Sequence, residues 1–313
     1  MSVHRRLACV LAVAMAFAAA AQPAAAKGRT DKEETQPFIV ETRISAPKRV
    51  GEFVLEQSAY DPAAKYAGAS FRYLLPQHPE IRFDLFVYPA GDMPPDAALQ
   101  AGMKAFVKSF DAGVKMKYYN DLEIVDTVAF DILPNAFGPA TQDKLSAAAT
   151  NASSNADAVL DAALAPKPLA GKRIDLRYKI NMEETGDMVP MRSRGYLFYK
   201  HLYFFKGRIS VAESRMDQAT YESLSDRAMR ELVPAVRATN IGGCARSAIS
   251  LTEDDLDREK DELMMQILGA LTSKTAHNCY ASIKDAQRVQ MDLDDKDAEI
   301  VTIEYDAKDW GEQ

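Results

Sequence analysis

Residues able to carry chemistry are scarce in this sequence: 313 positions hold four histidines, three cysteines and one tryptophan. His78 lies in a Pro-flanked turn, His201 in an aromatic run and His277 beside Cys279; none belongs to an HExxH or HxH spacing. A Cys/His pair at 277 and 279 supplies too few ligands for zinc, so no metal site and no cofactor is expected. GxSxG, the P-loop pattern and GxGxxG are also missing, which leaves the nucleophile-elbow, phosphate-loop and dinucleotide readings without local support. The acidic run from Asp292 resembles a calcium loop only in composition. Lys296 stands at its fifth position, Asp297 where the sharp turn needs Gly, and Ile303 where a bidentate Glu should close it.

Positive charge is in deficit too, with 38 basic against 45 acidic residues. An acidic chain lacks the field that phosphate backbones and anionic bilayers attract, which argues against both as main partners. Long apolar runs are confined to the N-terminus, where Arg5 and Arg6 precede Leu7 to Ala21 and the small residues Ala24, Ala25 and Ala26. That order of basic, apolar and A-x-A segments is what a cleaved secretory signal needs, and the run is shorter than the roughly 20 residues that span a bilayer. Residues 1–26 are therefore expected to leave after Ala26, taking Cys9 with them. What remains is a protein of about −9 net charge, expected in the periplasm or outside a bacterial cell, with 27–36 as a flexible leader. Two cysteines survive, Cys244 and Cys279. In an oxidising compartment such a pair is expected to form a structural disulfide.

Period-2 alternation marks strands. Phe53 and Leu55, then Phe71, Tyr73 and Leu75, then Ile81, Phe83, Leu85 and Val87 alternate with polar neighbours between turn residues, the pattern of an antiparallel meander. The period then changes: Leu99, Met103, Phe106, Val107, Phe110 and Val114 make one helical stripe, with Asp96 as the expected N-cap. A strand is read in "LEIVDTVAFDI". Residues 131–172 are rich in Ala, Ser and Asn and read as a low-complexity insertion. Ile174, Leu176, Tyr178 and Ile180 restart the alternation, and Tyr221, Leu224, Ala228, Leu232 and Val236 form a second helical stripe ending near Pro234. Strands, helix, strands and helix over 37–243 predict an α+β domain with an antiparallel sheet. After it, a helix capped by Thr252 and a hairpin from "RVQMDLDD" and "EIVTIEYDA" predict a small C-terminal subdomain, 244–313.

With the strands placed, residues of about 52–237 resemble the PsbP/Mog1-type α/β sandwich. "ASFRYLLP" with "IRFDLFVYPAG", a helix after that meander, and "GYLFYKHLYFFKGRISVAES" running into the last helix carry the resemblance. It implies a sheet between two helices and a non-catalytic binding or assembly role, and it transfers no active-site residues. The aromatic run at 194–211 is the one crowded stretch. A turn at Lys206-Gly207 would put Leu202, Phe204, Ile209 and Val211 on a core face and Tyr199, His201, Tyr203 and Phe205 on the other. Those four are the candidate ligand or partner face. The function expected is that of an exported, non-enzymatic accessory protein that binds an envelope protein or small ligand. A hydrolase with a site around His201 and carboxylates such as Asp175, or a secreted effector or inhibitor, are the competing readings.

Overall fold

The computed structural model describes residues 38–133, 168–181, 187–246, 276–289 and 295–309. The segments expected as signal, leader, most of the insertion and the helix after Thr252 lie outside the described residues. Strand β1 (Glu41–Pro47) and the two-residue β2 (Arg49–Val50) precede the meander β3 (Phe53–Tyr60), β4 (Ala69–Leu74) and β5 (Arg82–Pro89). The alternation reads correctly here: Phe53, Phe71, Tyr73, Phe83, Leu85 and Val87 are all fully buried. The helical stripe folds as α1 (Pro95–Lys115), burying Leu99, Phe106 and Phe110. Pro94, not Asp96, takes the cap position, and Asp96 sits in the first turn, where its charge still complements the helix dipole.

From α1 the chain reaches the far edge of the sheet and returns. Strand β6 (Asn120–Ala129) is the edge, and β7 (Gly171–Asn181), β8 (Met188–Lys200) and β9 (Tyr203–Ala212) meander back until β9 pairs antiparallel with β5. The result is an eight-stranded sheet in the order β2-β3-β4-β5-β9-β8-β7-β6. Helix α1 covers one face over β7 and β8. At the crossing, a side chain at Gly195 would meet the Phe106 ring at 2.5 Å, so the helix lies close because that residue has none. The opposite face takes α2 (Gln218–Ala235), and there a Cβ on Gly207 would meet the Met229 sulfur at 2.2 Å. Asp217 caps α2 by accepting from Thr220 N–H at 2.9 Å.

A second sheet completes this layer. Strands β1, β10 (Arg237–Ile241), β11 (Cys279–Tyr280) and β12 (Ala298–Glu304) run in the order β11-β10-β1-β12. Its Ile44 and Ile303 join Leu232 and Val233 of α2 and Phe83, Phe205 and Ile209 of the large sheet in one core. The molecule is thus α+β with mostly antiparallel sheets, as its patterning predicts. Most of the first arm of the expected C-terminal hairpin, 288–295, lies outside the described residues. Its Arg288 and Val289 end a short helix, α3 (Ile283–Val289), and the second arm is β12, which pairs with β1 from Glu41↔Glu304 to Pro47↔Ala298. The exposed backbone edge of β1 is thereby filled by a segment distant in sequence. Among the described residues no helix is long and apolar enough to cross a membrane.

Cys244 and Cys279 are joined, with Cα atoms 5.9 Å apart at a sequence separation of 35. Both are buried, and the bridge fastens β11 beside β10. Replacing both with Ser should lower the unfolding free energy by about 2–4 kcal/mol, read from urea midpoints. A wild-type midpoint indifferent to reductant, with both thiols alkylated in the native protein, would contradict the bridge.

Candidate functional site

The aromatic run forms a hairpin, but its turn is not at Lys206-Gly207. Lys200 pairs with Tyr203, and His201 and Leu202 form the two-residue turn with φ of 54° and 70°. Such turns need two left-handed residues and favour Asn-Gly, so His-Leu gives little sequence signal. Moving the turn by five residues changes which side chains share a face. Tyr199 and Phe204 lie on the α1 side with Leu197, whereas Tyr203 and Phe205 point toward α2 and are fully buried. The four candidate residues therefore do not make one open face.

Each of the four has a place in the packing. Tyr199 donates its hydroxyl to the Gly91 carbonyl at 2.9 Å and accepts from Met93 N–H at 3.3 Å, fastening the loop before α1. Tyr203 and Tyr305 share a buried hydroxyl contact of 2.6 Å that links the hairpin to the end of β12. Phe205 lies 4.2 Å beneath the Lys200 ammonium, which donates to the Val233 and Val236 carbonyls at the end of α2. Burial pushes that ammonium down to about 7. The His201 ring is buried beside the Ala238 backbone, and its Nδ1 has no hydrogen-bond partner. Burial first, then the Lys200 charge, pushes its pKa down to about 3, so the ring is neutral across the range in which a general base works. Among the described residues no carboxylate pairs with it. Its proposed partner Asp175 is held by Arg173 and Arg194, and the histidines that approach carboxylates are His78, 3.2 Å from Glu80, and His277, 3.3 Å from Asp92.

The polar residues of the strands converge elsewhere. Alternation on β7 and β8 sends Arg173, Asp175, Arg177, Arg192 and Arg194 toward α2, whose first turns supply Gln218, Glu222 and Asp226. Arg194 is 4% exposed and meets Asp175 at 2.9 Å, Asp226 at 3.1 Å and Glu222 at 3.2 Å. Burial alone would lower its pKa; Tyr196, Asp175, Asp226 and Glu222 reverse that and raise it. Tyr196 donates to the same Asp226 oxygen at 2.6 Å. Beside this network a cleft of about 60 Å³ opens, lined by Arg177, Arg192 and Arg194, by Gln218 and Glu222, and at its rim by Val125 of β6. The Gln218 amide and then Arg194 hold the Glu222 carboxyl below the usual carboxylate range. The cleft can hold a small polar group, with guanidinium donors on one wall. Among the described residues no three His, Cys, Asp or Glu side chains come together as a metal site. Of this group the sequence reading singles out Asp175 alone; the arginines' spacing of two within a strand is the signal that puts them on one face.

No protein-family model and no curated protein matches this chain. Its function is therefore read from geometry.

Two outcomes check this account. Arg194→Met should cost about 3–5 kcal/mol, because it leaves Asp175, Asp226 and Glu222 facing one another over a buried site; a urea midpoint within error of wild type would refute the network's role. For His201, the unfolded ring titrates near 6.5 and the folded ring near 3. Its neutral form contributes fully above pH of about 6.5, and stability falls as pH drops toward 3, by up to ~1.4 kcal/mol per pH unit. His201→Asn, which tolerates the left-handed φ, should flatten the urea midpoint between pH of about 6.5 and 5. An unchanged slope would show that the ring is not held neutral.

Proposed function

We propose that this protein is an exported, non-enzymatic binding or assembly factor of a bacterial envelope, and that it receives its partner as an added strand along β6. The carrying observation is the state of that edge. β6 is ten residues long and, among the described residues, pairs on one side only, with β7. It presents Ile124 and Val125 at 45% and 49% exposure, and the segment leading into it presents Val114, Met116 and Tyr118. A long edge with exposed apolar side chains is a pairing template, and main-chain hydrogen bonds to an incoming strand supply affinity without a deep pocket.

Charge selects the occupant. Asp121, Glu123 and Asp126 lie along the same strand and are exposed. They repel a second copy of the same acidic edge and favour an extended segment carrying Lys or Arg between its apolar residues. The leader pattern of residues 1–26 and the paired cysteines support export. The finer fold reading, a PsbP/Mog1-type sandwich, is supported by a sheet with one long helix on each face; fold by itself leaves the partner open.

A photo-crosslinking residue at Ile124 or Val125, in cells, should yield a discrete adduct that is absent with the label at exposed Val289 on α3. Val125→Lys should reduce the adduct formed from position 124 by at least about fivefold while leaving the urea midpoint within about 0.5 kcal/mol. Equal labelling at all three positions would reject the edge as the docking surface.

A further inference from the structure

The arginine cleft beside α2 holds donors that the fold does not use. Three guanidiniums line it, and their partners differ. Arg194 is saturated by Asp175, Asp226 and Glu222, and its Nη1 also donates to the Glu222 carbonyl at 3.1 Å. Arg192 uses Nη1 on the Met216 carbonyl at 2.8 Å, while its Nε is buried without a hydrogen-bond partner. Arg177, half exposed, makes no hydrogen bond among the described residues. Both share one carboxylate, Glu213, whose Oε1 stands 3.7 Å from Arg192 Nε and 3.8 Å from Arg177 Nε. Those separations give Coulomb attraction but exceed hydrogen-bond length.

A buried guanidinium N–H without an acceptor costs free energy that a matching ligand would recover. With Glu213 shared between them the two guanidiniums keep one net positive charge, and their forked donors suit a bidentate anion better than a point charge. The neighbouring rim is apolar at one point, Val125 of β6, while Leu176 contributes only backbone because its side chain is buried on the α1 face with Phe106 and Phe110. Its 60 Å³ is several times the ~10–15 Å³ that one water needs, so it admits a small group and not a whole cofactor. Glu222 and Asp175 stay engaged with Arg194 and mark the inner limit of the anion's reach. We infer that this cleft is a binding site for a carboxylate carried on a short branched apolar stem, its oxygens on Arg192 and Arg177 and its stem against Val125 at the rim. The inference shares Val125 with strand docking on β6 but makes no use of that edge's free backbone.

The test uses the ¹⁵N-labelled protein and three probes: isobutyrate, isobutyramide and inorganic phosphate. A buried, unpartnered Nε–H should give a resolved side-chain signal, so the Arg192 Nε–H resonance reports the site directly. Isobutyrate should shift that resonance saturably in the millimolar range, and isobutyramide should not. Arg177→Gln, at an exposed position, should weaken isobutyrate binding at least about fivefold with the rest of the spectrum unchanged. Arg192→Lys, which lacks that reporter and is followed through the backbone amides of β7 and β8, should weaken it more, since an ammonium cannot present the fork. No saturable shift, an equal shift from the amide, or undiminished binding in Arg177→Gln would overturn the site. Phosphate binding as tightly as isobutyrate would overturn the assignment to a carboxylate.

Discussion

Arg194 is the constraint around which the rest is arranged. A guanidinium this deeply buried is tolerable only if several acceptors meet it, and here they come from two elements: Asp175 from β7, Asp226 and Glu222 from α2. Those contacts fix the rotation and axial position of α2 over the sheet to within a hydrogen-bond length. Apolar packing alone, through Leu232, Val233 and Met229, would accept small slips along the helix. The network's benefit is thus more in registration than in net energy. Once α2 is fixed, the Lys200 ammonium can reach the carbonyls at its far end, so the helix is held at both ends by cations of β8.

The other face of the same hairpin uses a related device. Lys206 lies 5.0–5.7 Å from the ring centres of Phe86, Tyr88 and Phe106, and Arg208 lies 5.2 Å from Tyr119 and 5.8 Å from Phe110. Burial pushes the Lys206 ammonium down to about 8. Strand β9 therefore alternates apolar residues toward α2 with cations toward α1, and aromatic faces take the place of carboxylates as partners. This explains a feature of the sequence that simple hydrophobicity misreads: a strand covered on both faces still shows period-2 polarity, because one cover is built to receive charge.

Legibility followed the kind of residue that faces inward. The meander from Phe53 to Val87 and the stripe of α1 could be read because their inward positions are apolar and their turns carry Pro or Gly. Strands β1 and β10 could not. Thr42, Ser45, Thr239 and Asn240 are buried there, and Thr42 donates to Asn240 across the pair at 2.7 Å, so polar residues fill positions that a hydrophobic period would mark. The hairpin turn failed for a neighbouring reason: Lys206-Gly207 carries the usual turn residue, but Gly207 is needed for close approach of Met229, while His201 and Leu202 accept positive φ without advertising it. The candidate face drawn from that turn inherited the error in parity. The arginine cleft was visible only as polar alternation, since periodicity separates faces but not a charged face that is covered from one that is wet.

Pairing of β1 with β12 carries a consequence for how the molecule is made. Glu41 and Glu304 are neighbours in the small sheet, so that sheet cannot close until nearly the whole chain has been synthesised. The large sheet has the same character at its centre, where β5 waits for β9. Domains rich in such distant pairings fold slowly, because loop-closure entropy is spent before contacts repay it. A chain leaving the ribosome, or threading through a narrow pore from its N-terminus, therefore passes most of its length before the native core can lock. The Cys244–Cys279 bridge is late for the same reason, since it can form only once β10 and β11 have come together.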